Sequence, residues 1–469
     1  MDIFIVTAYL GFLLFYGIWQ GFRVKSAQAF SLSAKRHGLF VIFAALSASS
    51  IGGGFSSGNA TEVFKTGIGN IVGLLGFSAG QLLLGLFVVG RARIPAGVSS
   101  PGMLLKESYG KTGQIVAGIC STALCIGLLG TQIAAIGWIF NVLIGVPYHM
   151  GALIGFAIVL TYSTAGGMSA IITAEVLEFL LLLIGLPLLA YWSVKYVGGA
   201  HALIKALPAE HLNPLNGRTP SALISLFLTM CVGEALTPSY IQLILTAKDS
   251  KTISRATTFC GLASIPVFVI TGVVGLCAFV TFPNLEPSLA MPAMVLKMLP
   301  PGIKGIVMAA MLAIVMSSAD GMLSSAAIGL VGDVIVPFRQ KNRSERELLK
   351  LIRKVTLIIG IAGFAFAALS GDVFSMLVIA YSGWAPVMLP STAAALMGRR
   401  IGIKSFLICG ACGAATSVLV SLLPDLPDFI NGVTIGVAVN LTLFIIFYYR
   451  ERRAERRRIG TESGGKYAA

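Results

Sequence analysis

The chain is 469 residues long, with 56% hydrophobic and 11% charged residues, and its mean hydropathy is +0.88. That composition excludes an ordinary soluble domain and points to a chain that crosses a bilayer many times. A formal net charge of +15 would suit a nucleic-acid binder, but the basic residues are confined to loops between apolar stretches, which excludes that class.

Thirteen spans are predicted near 3–21, 39–60, 67–90, 113–144, 148–165, 172–197, 219–245, 257–283, 303–336, 355–370, 373–397, 402–423 and 429–449. The first begins Met-Asp-Ile-Phe-Ile, with no basic leader and no small-residue cleavage site, so it reads as a retained span. Loops on one side carry Arg23, Lys25, Lys35 and Arg36, then Arg91, Arg93, Lys106 and Lys111, then Lys248, Lys251 and Arg255. The same side takes Arg339, Lys341, Arg343, Arg346, Lys350, Arg353 and Lys354, the Arg399, Arg400 and Lys404 loop, and a basic tail over 450–469. The other side keeps only Lys65, Lys195, Lys205, Arg218, Lys297 and Lys304. Positive charge stays in the cytoplasm, so the N-terminus is expected outside and the C-terminus inside, in a bacterial inner membrane. The tail is expected to end in a flexible segment around Ser463, Gly464 and Gly465.

The second span is interrupted. Leu46 to Gly58 reads Leu-Ser-Ala-Ser-Ser-Ile-Gly-Gly-Gly-Phe-Ser-Ser-Gly, and Gly52, Gly53 and Gly54 break the helix. Freed backbone groups are tolerated in a membrane only where protein or a wet cavity receives them. The seventh span carries Gly233, Glu234 and Pro238, and a proline in a helix interior removes a hydrogen bond and kinks it. Broken helices in corresponding positions of two halves mark transporter sites. Spans two to six (39–197) and seven to eleven (219–397) then form two five-helix units of opposite orientation. The remaining spans (3–21, 402–423, 429–449) lie outside this core of a single domain over 1–449. The ninth span holds Ser317 and Ser318, hydroxyls that either bond their own helix or supply neutral oxygens to a cation.

Seven cysteines and four histidines form no catalytic or metal constellation by spacing, and no enzyme activity is expected.

Three stretches resemble the sodium:solute symporter family. Tyr162-Ser-Thr-Ala-Gly-Gly-Met-Ser-Ala-Ile-Ile-Thr-Ala-Glu175-Val-Leu-Glu178 is similar to its Tyr-Thr-x-x-Gly-Gly-x-x-Ala-Val-x-x-Thr-Asp-Val-x-Gln run. Val315 to Ser325 and Gln242 to Ala256 are similar to two others, in the family's order. The resemblance implies an all-α polytopic membrane protein with a LeuT-type core of two inverted five-helix repeats and two broken helices. It also implies a coupling Na⁺ held by the carbonyls of Ala48, Ile51 and Ile314 and the hydroxyls of Ser317 and Ser318, with Ser50 facing solute. Five neutral oxygens suit a monovalent ion, whereas several carboxylates favour divalent ones. The chain departs from the pattern at Glu175 (usually Asp), Glu178 (usually Gln) and Leu243 (usually Arg).

Glu234 is the sharpest remaining feature, because an ionisable residue in mid-span costs roughly 2.5–3.5 kcal/mol even on lenient scales. It is read as a carboxylate facing a solute's ammonium, or as a cap on loosened backbone. Gln132, Tyr240, Tyr381 and Ser382 are further solute-site candidates, with Gln81 and Trp384 on the same spans. Glu175, Gly52, Gly53, Pro238 and Asp320 are candidates for coupling and gating. Glu175 and Glu178 share a helix face, either beside the ion path or at a solvated helix start. Asp320, about 200° around the helix from Ser318, points away from the serine pair toward a neighbouring helix. Glu62 and Lys65 are expected to form a solvated ion pair.

The function these readings imply is import of a small polar solute, amine-bearing by the Glu234 argument, coupled to Na⁺. Proton coupling through Glu234 or Glu175 is the alternative, and a membrane sensor built on a transporter-like domain is another. The expected partners are the solute, Na⁺ and the lipid bilayer; no obligatory protein partner is evident.

Overall fold

A computed structural model describes residues 1–31, 37–92, 98–216, 218–339, 344–369, 372–423 and 430–464. Lys35, Arg36, Arg93, Lys341, Arg343, Gly465 and Lys466, which figured in the charge and tail expectations, lie outside the described residues. The described residues are helical. In chain order the main helices are α1 (Asp2–Arg23), α2 (Leu39–Ser50), α3 (Ser57–Thr66), α4 (Gly69–Arg91), α5 (Pro101–Ile144), α6 (Tyr148–Tyr196), α7 (Pro220–Gly233) and α8 (Pro238–Leu245). They continue as α9 (Ser250–Thr281), α10 (Ile303–Phe338), α11 (Glu345–Leu369), α12 (Val373–Ser382), α13 (Ala385–Leu396), α14 (Ile403–Leu422) and α15 (Gly432–Gly464).

Counting α6 as two segments, one on each side of its kink, ten of the described helical segments are long and apolar enough to cross a membrane, or twelve if the bent pairs α7–α8 and α12–α13 each count as one span. The expected thirteen is not reached by this measure, because α2 and α3, the two halves of the first broken span, are each too short to cross and are separated by residues 51–56. Two stretches also differ from expectation. α5 starts at Pro101, where Ser100 caps it by accepting from the Met103 N–H, and is kinked at Gly110. The two spans predicted at 148–165 and 172–197 are the two parts of α6, Tyr148–Met168 and Ala170–Tyr196, which meet at a kink at Gly167, whose φ of 65° favours glycine. The 373–397 stretch is not one continuous helix but two half-helices bent by 60° at Gly383 and Trp384. At the C-terminus the expected flexible Ser463 and Gly464 continue the last helix.

α10 is the hub. Its apolar window is 94% buried, against 22% for α1 at the periphery, and it packs on α5, α6, α1 and α2. A helix apolar all round belongs in such a centre, which makes its serines and Asp320 the more telling. Small residues allow the close approaches: a Cβ on Gly17 of α1 would stand 2.6 Å from the Tyr162 Cβ, and one on Gly185 of α6 would stand 2.4 Å from the Ala310 Cβ. Such stripes are how helices associate where lipid gives no hydrophobic drive.

Candidate ion and solute sites

α2 ends at Ser50, and Ile51 leaves helical geometry at φ −86°, ψ 71°. The break heals itself on one side. Ser56 Oγ donates to the Gly52 carbonyl (2.8 Å) and Ser57 Oγ to that of Gly53 (3.0 Å). On the other side Gln132 Oε1, from α5, accepts from the Gly53 N–H at 2.7 Å. A Cβ on Gly52 would fall 2.6 Å from Ser318 Oγ and 2.8 Å from the Gln132 amide, so any larger residue there must displace them.

The carbonyls at the end of α2 meet α10. Ser317 Oγ lies 2.9 Å from Ala48 O and 3.0 Å from Ile314 O. Ser318 Oγ lies 2.7 Å from Ser49 O and 3.5 Å from both Ala48 O and Ile314 O. Ala48 O, Ile314 O and both hydroxyls therefore converge, all buried. The bonds to Ile314 are the local back-bonding expected of serines on a helix; those to Ala48 and Ser49 cross to the broken span. Ile51 O makes no hydrogen bond to the serine pair, while Ser49 O, not anticipated as a member, does. The donor set is neutral oxygen throughout, which suits Na⁺ as cargo.

Behind this cage lies an acidic cluster. Tyr9 OH of α1 donates to Glu178 Oε1 (3.1 Å), and Tyr162 OH donates to Asp320 Oδ2 (3.1 Å) and Met316 O (3.2 Å). Asp320 thus turns away from the serine pair to a neighbouring helix. Glu175 and Glu178 are both wholly buried, so a solvated helix start is ruled out for them. Neither oxygen of Glu175 has a hydrogen-bond partner among the described residues. A Cβ on Gly321 would stand 2.9 Å from Ser49 Oγ and 3.7 Å from Glu175 Oε1, which puts Glu175 close behind the end of α2.

The second break has different chemistry. Glu234 closes α7, and Leu236 adopts φ 54°, a strained left-handed conformation for a branched side chain. Pro238 does not kink a helix interior; it is the first residue of α8, where its missing N–H costs nothing. Glu234 is 4% exposed. Tyr381 OH donates to its Oε2 at 2.7 Å, and Thr237 Oγ1 lies 3.5 Å from its Oε1. Trp384 Nε1 donates to Ala235 O (3.4 Å). The Tyr381 ring covers Gly233, where a Cβ would come within 2.4 Å of it. The bend between α12 and α13 therefore clamps the bend between α7 and α8.

Of the solute candidates, Glu234, Tyr381 and Trp384 are brought together at the second break. Gln132 serves the first break, Tyr240 OH shares a 2.6 Å bond with Thr257 Oγ1 of α9, and Ser382 Oγ returns to Val378 O (3.2 Å). Ser50 is buried beside the ion cage. Gln81 is buried too, with Oε1 unpartnered among the described residues. At the end of α3, Lys65 pairs with Glu62 (2.8 Å) and reaches Asp372 (3.7 Å), the cap of α12.

A broken helix crossing a central helix with a paired-hydroxyl step is the pattern of a secondary transporter. The family model described as "Sodium:solute symporter family" matches residues 30–413, and the chain belongs to that family. It is 25% identical to sodium/glucose cotransporter 1 of Mus musculus over 87% of this chain and 66% of that protein. It is 23% identical to the high-affinity proline transporter PutP of Bacillus subtilis (strain 168) over 92% of this chain and 94% of that one. The chain thus spans about two-thirds of the mouse protein's length. Its fold superposes on a substrate-bound, outward-open Na⁺-coupled sialic acid symporter with a TM-score of 0.80 at 16% identity, covering 95% of this chain and 97% of that one. The protein is an integral membrane protein with the LeuT-like fold.

Proposed function

We propose that the chain is a Na⁺-coupled symporter that imports a small polar, amine-bearing solute across a bacterial inner membrane, with its N-terminus outside. The observation that carries this reading is the convergence of Ser317 Oγ and Ser318 Oγ on Ala48 O and Ile314 O. A Na⁺ taken by those oxygens ties the broken α2 to α10 and fixes the break. The ordered break then completes a solute site facing Glu234 and Tyr381. One charge moving down the membrane potential supplies about 2.3 kcal/mol per 100 mV, enough to concentrate a neutral or zwitterionic solute. Linkage is reciprocal, so the solute tightens Na⁺ by the same factor. Glu234 offers the solute a buried carboxylate held in place by Tyr381.

The test is a thermal-shift screen of purified protein against solute libraries in NaCl and in N-methylglucamine chloride. Sodium-dependent stabilisation by amine-bearing compounds is expected; hits indifferent to sodium would overturn the coupling. Proton coupling is the second reading, favoured by one observation: Glu175, Glu178 and Asp320 are buried together and, among the described residues, none is in an ion pair. Uptake that follows a pH gradient and ignores sodium would select it.

A further inference from the structure

A cavity of about 280 Å³ opens between α4, α7 and α12, at the end of the bundle that the charge distribution assigns to the exterior. Its lining includes Asn70, Arg218, Ala222, Ser225, Thr229 and Phe374. That volume is at the lower edge of pockets that hold small molecules. Arg218 is half-buried, and among the described residues no carboxylate lies within ion-pair distance of it. It stands just ahead of the N-terminus of α7, whose Thr219 cap precedes Pro220. A cation there adds to the positive end of the helix dipole instead of opposing it, so both draw an anion to the same place.

Asn70 provides the complementary group. It is wholly buried, and its Oδ1 has no partner among the described residues. Its orientation follows from the network behind it. Asn59 Nδ2 donates to Phe268 O (2.9 Å) and Thr271 Oγ1 (2.8 Å), which leaves Asn59 Oδ1 to accept from Asn70 Nδ2 (2.9 Å). Asn70 Oδ1 is therefore a free acceptor, on a residue that lines the cavity with Arg218. The helices that wall the cavity continue inward. Ser225 and Thr229 are one turn apart on α7, and Gly233 is the next residue on that face, beside Glu234. On the opposite wall Phe374 is two turns above Tyr381. The cavity's two walls thus run down to the Tyr381–Glu234 hydrogen bond.

From this arrangement we infer that the cavity is an outer capture site for an amino-carboxylate, with Arg218 taking the carboxylate and Asn70 Oδ1 an N–H of the amine before the solute descends to Glu234. The solute is then a zwitterion, not a simple amine or a sugar. This assignment rests on the reading of Glu234 as the amine's final partner, but the capture site can be tested without it.

Cysteine placed at Ala222 reports the cavity's charge. Modification of A222C by an anionic methanethiosulfonate (sulfonatoethyl) and a cationic one (trimethylammonioethyl) is compared from the outside, with the parent protein, which keeps its native cysteines, as the blank. Removing one nearby charge should lower the anion-to-cation rate ratio roughly tenfold in A222C/R218Q, while A222C/R218K keeps it. An unchanged ratio in the Gln variant would remove Arg218 from the site. This arm needs neither sodium nor solute, so a failure of Na⁺ coupling leaves it intact. A second arm uses matched pairs, L-proline against L-prolinamide and glycine against ethanolamine, in sodium-dependent thermal shift. Stabilisation confined to the acid of a pair, with its transport KM raised about tenfold and kcat little altered in Arg218→Gln, is expected. Equal stabilisation by the amide or the alcohol would overturn the zwitterion assignment.

Discussion

The two helix breaks hold similar places in the fold and use opposite chemistry. At the first, between α2 and α3, three glycines open the backbone and every oxygen that meets α10 is neutral. At the second, between α7 and α8, the opening rests on a left-handed Leu236 and a helix-starting Pro238, and the group presented is a carboxylate. A small cation that must bind and leave is served by several weak dipoles. An organic solute is better discriminated by one buried charged partner, whose mispairing is costly. The fold supplies both breaks, and residue type decides which groups each one presents.

The comparison is broken most severely by Ser317→Ala with Ser318→Ala. Two of the converging oxygens vanish while the helix keeps its shape, so apparent Na⁺ affinity should fall at least about 100-fold. Sodium titration of uptake into proteoliposomes reads this, and an unchanged midpoint would refute the ligand assignment. Glu234→Gln should do the converse, raising the solute KM about tenfold or more while sodium still stabilises the solute-free protein. If sodium stabilisation disappeared with it, the two breaks would not be chemically separate.

Two glycines sharpen the contrast at intermediate cost. In Gly52→Ala the new methyl meets Ser318 Oγ and the Gln132 amide, whereas in Gly233→Ala it meets the Tyr381 ring. Overpacking of this kind costs about 1–3 kcal/mol. The first should weaken sodium roughly tenfold with little change in solute selectivity, and the second should weaken solute with little change in sodium. Interchanged phenotypes would reverse the roles assigned here. Tyr9→Phe is milder: losing the hydrogen bond to buried Glu178 should cost about 1 kcal/mol and shift the sodium midpoint several-fold. No shift would make α1 a passive neighbour of the core.

The first break was legible because its signals are local. Glycines, serines and the Ser317–Ser318 step are each anomalous inside an apolar run, and the family resemblance supplied their pairing. Ser49 was missed because it contributes its carbonyl, which side-chain identity does not reveal. The third bend, at Gly383 and Trp384, had a signal in Gly383 and Pro386 that hydropathy averaged away across 373–397. Tyr9 had none: its helix reads as peripheral by composition, and only the close approach at Gly17 brings it onto α6. Gln132, Tyr240 and Ser382 show the limit of picking polar residues from spans. Gln132 and Tyr240 bond neighbouring elements, and Ser382 bonds back to its own helix.

The smallest expected effect lies where the end of α3 meets the start of α12. Burial alone would push the Asp372 carboxyl up, but the Ser375 and Phe374 N–H groups, the Ser375 hydroxyl and the Lys65 ammonium outweigh it and hold it below its ordinary value. A carboxyl lowered on folding stabilises the protein above its unfolded pKa, near 3.9. That contribution is lost as pH falls through the lower folded value. Asp372→Asn keeps a good helix cap and removes only the charge. The group is partly exposed, so solvent screening should hold the loss to about 0.5 kcal/mol, or about 1 °C in Tm at neutral pH. Between pH 5 and pH 3 the variant should lose less stability than the parent, because the titrating group is gone. Parallel melting curves across that range would show it, and identical pH slopes would mean that Lys65 and Asp372 do not couple α3 to α12.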